Sequence, residues 1–164
     1  LKEAGSKLSF EQVSNEEYKT YARTPELYLG YSRMEYLSSP ETAGRGELKT
    51  FSPPSRLPMN SFAYQGEWSV MSEYSAPQKG AKLYLNFEAK EVFLVARSKK
   101  GVAGKVKVYL DEQVQSLGED SKEGVVTVDS DGLYKLIDLS LPGRHILRLE
   151  FEDDNVEIYA FTFG

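Results

Sequence analysis

Residues Lys82 to Ala89 alternate strictly, with Leu83, Leu85, Phe87 and Ala89 on one face and Lys82, Tyr84, Asn86 and Glu88 on the other. Lys105 to Asp111 repeats the pattern, setting Val106, Val108 and Leu110 against Lys105, Lys107 and Tyr109. Arg144 to Phe151 does so again, with His145, Leu147, Leu149 and Phe151 in one phase. A period of two over such lengths predicts strands with one buried face. Glu91–Arg97 and Val156–Phe163 are more continuously apolar and read as central strands. The inward set is therefore Leu83, Leu85, Phe87, Leu94, Val106, Val108, Leu110, Leu147, Leu149, Phe161 and Phe163.

Turn chemistry separates these runs. Leu141-Pro142-Gly143-Arg144 has Pro and Gly where a type II turn uses them. Ser130-Asp131-Gly132 and Asp153-Asp154-Asn155 are further turns. Ser38 to Asn60 carries four prolines and two glycines and reads as one long irregular loop. No helical period appears after Pro25. Short, regularly spaced strands of this kind predict an all-β jelly-roll sandwich, mainly antiparallel. The N-terminal stretch differs: Leu1–Gly5 resembles a helix end with a glycine cap, and residues 1–23 read as a short irregular or helical linker before a domain spanning 24–164.

Composition narrows the chemistry. The chain of 164 residues contains no cysteine, which removes thiol catalysis, disulfides and thiolate zinc sites from it. Its one histidine, His145, leaves no room for a histidine metal cluster. The net charge is −5, and the only basic cluster is Lys99-Lys100 in a Gly-bearing loop, so no phosphate-tracking surface for nucleic acid is expected. No apolar run approaches the ~18 residues of a membrane span. The chain opens on Leu1 rather than Met, and the expectation is a piece of a longer polypeptide.

Few residues could carry a reaction. Glu67 beside Trp68 could act as a glycosidase acid, but a second carboxylate such as Glu73 or Asp111 would have to face it. His145 could serve as a base, yet no Gly-x-Ser-x-Gly elbow supplies a nucleophile, and its phase favours a half-buried, hydrogen-bonded structural role. Asp153 and Asp154, with Asn155, are a candidate calcium corner or simply a polar turn. Eleven tyrosines are present, and Tyr28, Tyr31, Tyr36, Tyr64 and Trp68 gather around the long loop, where exposed rings could stack on sugars or instead pack the core.

Several segments together resemble a known family. Thr24-Pro25-Glu26-Leu27-Tyr28-Leu29-Gly30-Tyr31, Asn60 with Gly66-Glu67-Trp68, Leu133-Tyr134-Lys135-Leu136-Ile137 and Tyr159-Ala160-Phe161-Thr162-Phe163-Gly164 are similar to the C-terminal domain of DipZ-type proteins. These fuse a CcdA-like membrane domain to a thioredoxin-like domain and a carbohydrate-binding-module-like sandwich. The resemblance implies an extracytoplasmic, membrane-attached parent that moves reducing equivalents. It implies no cofactor and no catalytic residue in this chain, because the family's redox cysteines belong to the thioredoxin part.

The sequence leaves two roles open. In the first, the domain binds glycan, with Trp68 as stacking ring, Tyr64 and Tyr31 beside it, and Glu67 or Arg33 as hydrogen-bond partners. In the second, it is a structural or docking module that packs on its upstream thioredoxin-like domain or grips a protein substrate, with no sugar ligand.

Overall fold

The computed structural model describes residues 22–99, 101–114 and 118–164. The linker or helical piece expected over residues 1–23 falls outside these, Ala22 and Arg23 excepted. Ten strands run through the described residues: β1 Leu27–Tyr28, β2 Leu48–Phe51, β3 Ser61–Val70, β4 Ser75–Pro77, β5 Lys82–Ser98, β6 Gly104–Leu110, β7 Gln113–Val114, β8 Val125–Val128, β9 Gly132–Phe151 and β10 Val156–Phe163. None of the described residues is helical.

Two long strands organise the rest. β5 pairs antiparallel with β9 along its length, from Lys82 opposite Glu150 to Ala96 opposite Gly132. On its other edge the first half of β5 takes β3, and the second half takes β10. β4 bridges β3 and β10. The ten strands hydrogen-bond as one continuous sheet in the order β1-β10-β4-β3-β5-β9-β6-β7, with β2 on β3, β8 on β6 and a further β10–β5 pairing. It folds into two sheet layers, one carrying β2, β3, β5, β9 and β6 and the other β1, β10, β5 and β9. The two close around one core as an antiparallel β-sandwich of jelly-roll type.

A strand shared by two sheets has to bend, and its side chains must change phase to keep facing the same core. In β5 the buried set is Leu83, Leu85, Phe87 and Ala89 before the bend and Val92, Leu94 and Ala96 after it, with Lys90 and Glu91 between. The two runs read separately from the sequence are therefore one strand, and Glu91–Arg97 alternates despite its apolar composition.

β9 slips at the same corner. Asp138 lies opposite Glu91 and Gly143 opposite Ala89, so residues 139–142 stand against Lys90 alone. The Leu141–Arg144 segment is thus not a hairpin turn but an excursion within a strand. Proline has no N–H for a ladder and is tolerated where the ladder is already broken.

Of the inward set, all are buried except Phe163, which is half-buried at the end of β10. The stretch from Ser38 to Asn60 is not wholly irregular, because β2 crosses it and pairs with β3. The Asp153–Asn155 segment is a turn whose geometry is fixed locally. Asp153 Oδ1 accepts the Asn155 N–H at 3.0 Å and Oδ2 accepts the Lys105 N–H at 3.0 Å.

Candidate functional site

Trp68 and Tyr64 are not a ligand platform. Both are fully buried, at 0% exposure, and their rings stack on each other at 4.2 Å with planes 24° apart. The cause is period-two alternation along β3: Phe62, Tyr64, Trp68 and Val70 share the inward phase. The indole N–H donates to the Gln65 carbonyl at 3.1 Å. The Tyr64 hydroxyl meets Ser75 Oγ at 2.8 Å, and Ser75 Oγ donates to the Leu29 carbonyl at 2.6 Å. Burial pushes the Tyr64 phenol far above its usual range, with the Ser75 hydrogen bond pulling weakly the other way.

The remaining candidates scatter. Glu67 is exposed on β3 opposite Thr50. Asp111 lies in the turn after β6, where its carboxylate takes the His145 Nδ1 at 2.6 Å and the Ile146 N–H at 2.9 Å. His145 is half-buried and hydrogen-bonded. Asp153 is occupied by backbone donors, and Asp154 is exposed beside it. Among the described residues no three His, Cys, Asp or Glu side chains converge as a metal site.

Tyr31 and Arg33 lie on a short segment that leads to a groove elsewhere, on the outer face of the β1–β10–β5–β9 sheet. Its floor is Val95 and Ala160, which pair with each other, and Tyr28 pairs with Ala160 from the far side. This register turns Tyr28 outward and leaves its neighbour Leu27 in the core opposite Phe161. Tyr159 forms the second wall. Ile158 pairs with Ala96 and Ala160 with Val95, so Tyr159 is the extra residue of a bulge. A bulge re-aims the side chain it carries, and here it adds a second outward residue next to Ala160.

Gly30 sets the rim. A Cβ on Gly30 would come within 2.3 Å of the Glu73 carbonyl carbon, so only glycine lets the 30–33 segment lie against residues 71–73. The Tyr31 N–H then donates to the Met71 carbonyl at 2.9 Å and the Ser32 N–H to the Ser72 carbonyl at 3.0 Å. Arg33 is delivered over the Tyr28 ring, its guanidinium carbon 3.9 Å from the centroid. The Arg33 side chain has no hydrogen-bond or ion-pair partner among the described residues. Tyr28 donates to Glu26 at 2.8 Å, and that bond raises its phenol above the usual value.

Tyr159 is braced from behind. Its ring lies 5.4 Å from that of Tyr74, and the Arg97 guanidinium is 5.5 Å from both. Arg97 Nε donates to Glu157 at 2.7 Å, which fixes the cation in place. The groove encloses about 210 Å³ and is lined also by Glu26, Ser32, Ser72 and Glu73. It offers two rings, a guanidinium without a hydrogen-bond or ion-pair partner among the described residues, and carboxylate and hydroxyl acceptors. Such a set can hold a small polyhydroxylated ring by stacking and hydrogen bonding.

Residues of the first and last family-like segments build this site: Tyr28 and Gly30 from one, Tyr159 and Ala160 from the other. Tyr28 is among the rings that the sequence marks as candidates, whereas Tyr159, Tyr74 and Arg97 are not. The signal available was weak, since a bulge cannot be read from a continuously apolar run.

The fold and groove define a β-sandwich module with an aromatic-walled surface site. The chain belongs to the thioredoxin-like C-terminal domain family, whose model matches residues 24–164. No curated protein matches it. Among solved structures it is similar to an active-site mutant of a family two carbohydrate esterase from Clostridium thermocellum, with TM-score 0.51 and 19% identity over 63% of this chain and 31% of that one. It is also similar to a family two carbohydrate esterase from Cellvibrio japonicus, with TM-score 0.50 and 12% identity over 62% of this chain and 30% of that one. The likeness spans less than a third of either esterase and is one of fold.

Proposed function

We propose that this chain is a non-catalytic accessory domain that binds glycan in the Tyr28–Tyr159 groove, within a longer extracytoplasmic protein of DipZ type. In that parent it follows a thioredoxin-like domain, which would carry the redox cysteines. The observation that carries the binding reading is the pair of outward rings, Tyr28 and Tyr159, on either side of a floor of small side chains, with Arg33 and Glu73 on the rim. Sugars present an apolar C–H face and a hydroxyl edge, and this groove offers a partner for each. The shared fold with family two carbohydrate esterases makes cello-oligosaccharides a sensible first probe.

A panel of immobilised glycans, including that series, tests the reading. The wild-type chain should be retained by at least one glycan. Tyr28→Ala and Tyr159→Ala should each weaken retention about tenfold, equivalent to about 1.4 kcal/mol, while melting stays cooperative. No retention on any glycan, with a cooperatively folded wild type, would reject glycan binding and leave the docking role on the thioredoxin-like domain.

A further inference from the structure

The segment carrying Gly30 to Glu35 is a wall with two sides. Gly30, Ser32 and Arg33 line the groove, whereas Tyr31, Met34 and Glu35 line a second cleft. That cleft is larger, about 500 Å³, and its far side is the stretch from Ser39 to Arg45. Tyr31 is 42% exposed and lines this cleft.

The far side is built rather than loosely draped. Ser39 Oγ donates to the Tyr64 carbonyl at 3.0 Å and accepts the Tyr64 N–H at 2.9 Å, anchoring one end on the core. Glu41 accepts the Ser52 N–H at 2.9 Å and its hydroxyl at 2.6 Å, tying the middle to the residue after β2. Lys49 donates to the Thr42 carbonyl at 2.7 Å. The Arg45 side chain has no partner among the described residues. The cleft therefore repeats the equipment of the groove, an exposed tyrosine ring and an arginine unpaired among the described residues.

The groove alone is small. Sites for drug-sized ligands enclose about 300–1,000 Å³, so 210 Å³ suits a single sugar ring. We propose that the ligand is an extended oligosaccharide that occupies the groove and passes over residues 31–33 into the Tyr31 cleft. The inference rests on the glycan reading above. It assigns the cleft as a second set of subsites and predicts preference for internal stretches of a polymer over single terminal sugars.

Chain-length dependence tests this. The probes are gluco-, manno-, xylo- and galacto-oligosaccharides, each from monosaccharide to hexasaccharide, titrated against wild type, Tyr31→Ala, Arg45→Ala and Tyr28→Ala. For a series that binds, Kd should fall about tenfold or more from disaccharide to hexasaccharide. Tyr31→Ala and Arg45→Ala should remove most of that gain and leave disaccharide affinity within about twofold. Tyr28→Ala should weaken every length. A hexasaccharide no tighter than its disaccharide, or a gain untouched by both cleft variants, would overturn the extended ligand and leave the groove standing. Absence of binding across all four series would overturn both.

Discussion

Trp68 and Tyr64 lie face to face inside the core, with Phe151 meeting the indole edge-on at 5.3 Å and Phe51 meeting the phenol at 5.4 Å. Four rings from three strands thus form one packed unit. Removing the central one leaves a cavity that its neighbours cannot fill. Trp68→Ala should therefore lower stability by about 3–5 kcal/mol. Chemical denaturation measures this directly. A variant as stable as wild type would mean that the ring is not enclosed.

Gly30 offers a sharper test of the groove. An alanine there meets the Glu73 backbone rather than a flexible side-chain end. The expected loss is about 1–3 kcal/mol of stability, as for overpacking elsewhere. The 30–33 segment must lift, so amide exchange at Tyr31 and Ser32 should accelerate while that at Leu83 and Leu85 does not. Unchanged protection at Tyr31 and Ser32 would show that the close approach is not required.

The legible part of this fold is its alternation. Leu83, Leu85 and Phe87, Val106 and Val108, and Leu147 and Leu149 all lie where period two puts them. The same rule applied to Phe62, Tyr64, Trp68 and Val70 puts Trp68 in the core, with Gly66 standing as the one position of that phase without a side chain. What the sequence does not carry is the bend. Lys90-Glu91 and Leu139–Pro142 break two strands at one corner, and only the pairing of β5 with β9 makes those breaks coincide. The groove was hidden for a related reason. Tyr28 and Tyr159 are 131 positions apart and meet only through the β1–β10 pairing and a bulge.

The β6–β7 turn makes a prediction about acid. Asp111 and Glu112 both adopt positive φ, 50° and 69°, in a two-residue hairpin loop that glycine or asparagine would occupy more easily. Asp111 holds the turn closed through His145 and the Ile146 N–H, and Glu112 pairs with Arg148. Burial pushes the Asp111 carboxyl up, but the His145 and Ile146 hydrogen bonds and the His145 charge outweigh it and leave it below its ordinary value. A lowered carboxyl adds stability that is complete above the unfolded value of about 3.9 and is lost as pH falls through the folded one. Asp111→Asn should thus be less stable than wild type near neutrality. The site is half-exposed, and the difference should be about 1 kcal/mol or less. It should shrink below about pH 4. A difference that is constant or grows on acidification would contradict the assignment.

Glu41 should report on the cleft wall. Its two bonds to Ser52 hold the carboxyl below its usual value, the side-chain bond first and the backbone bond second. Glu41→Gln can keep only part of that arrangement. Amide exchange at Ser52 should rise in the variant, with little change in the melting of the sandwich. Protection of the Ser52 amide equal to wild type would show that Glu41 does not hold the wall.

On the proposed function, ligand enters between Tyr28 and Tyr159. Backbone amide chemical shifts of labelled wild-type protein, followed while a glycan identified by the panel is added, locate the site. The predicted result is a contiguous set of changes at Gly30, Arg33, Val95, Tyr159 and Ala160, saturating together. Changes confined to the opposite sheet, around Tyr84, Tyr109 and Arg148, with Val95 and Ala160 unmoved, would contradict it.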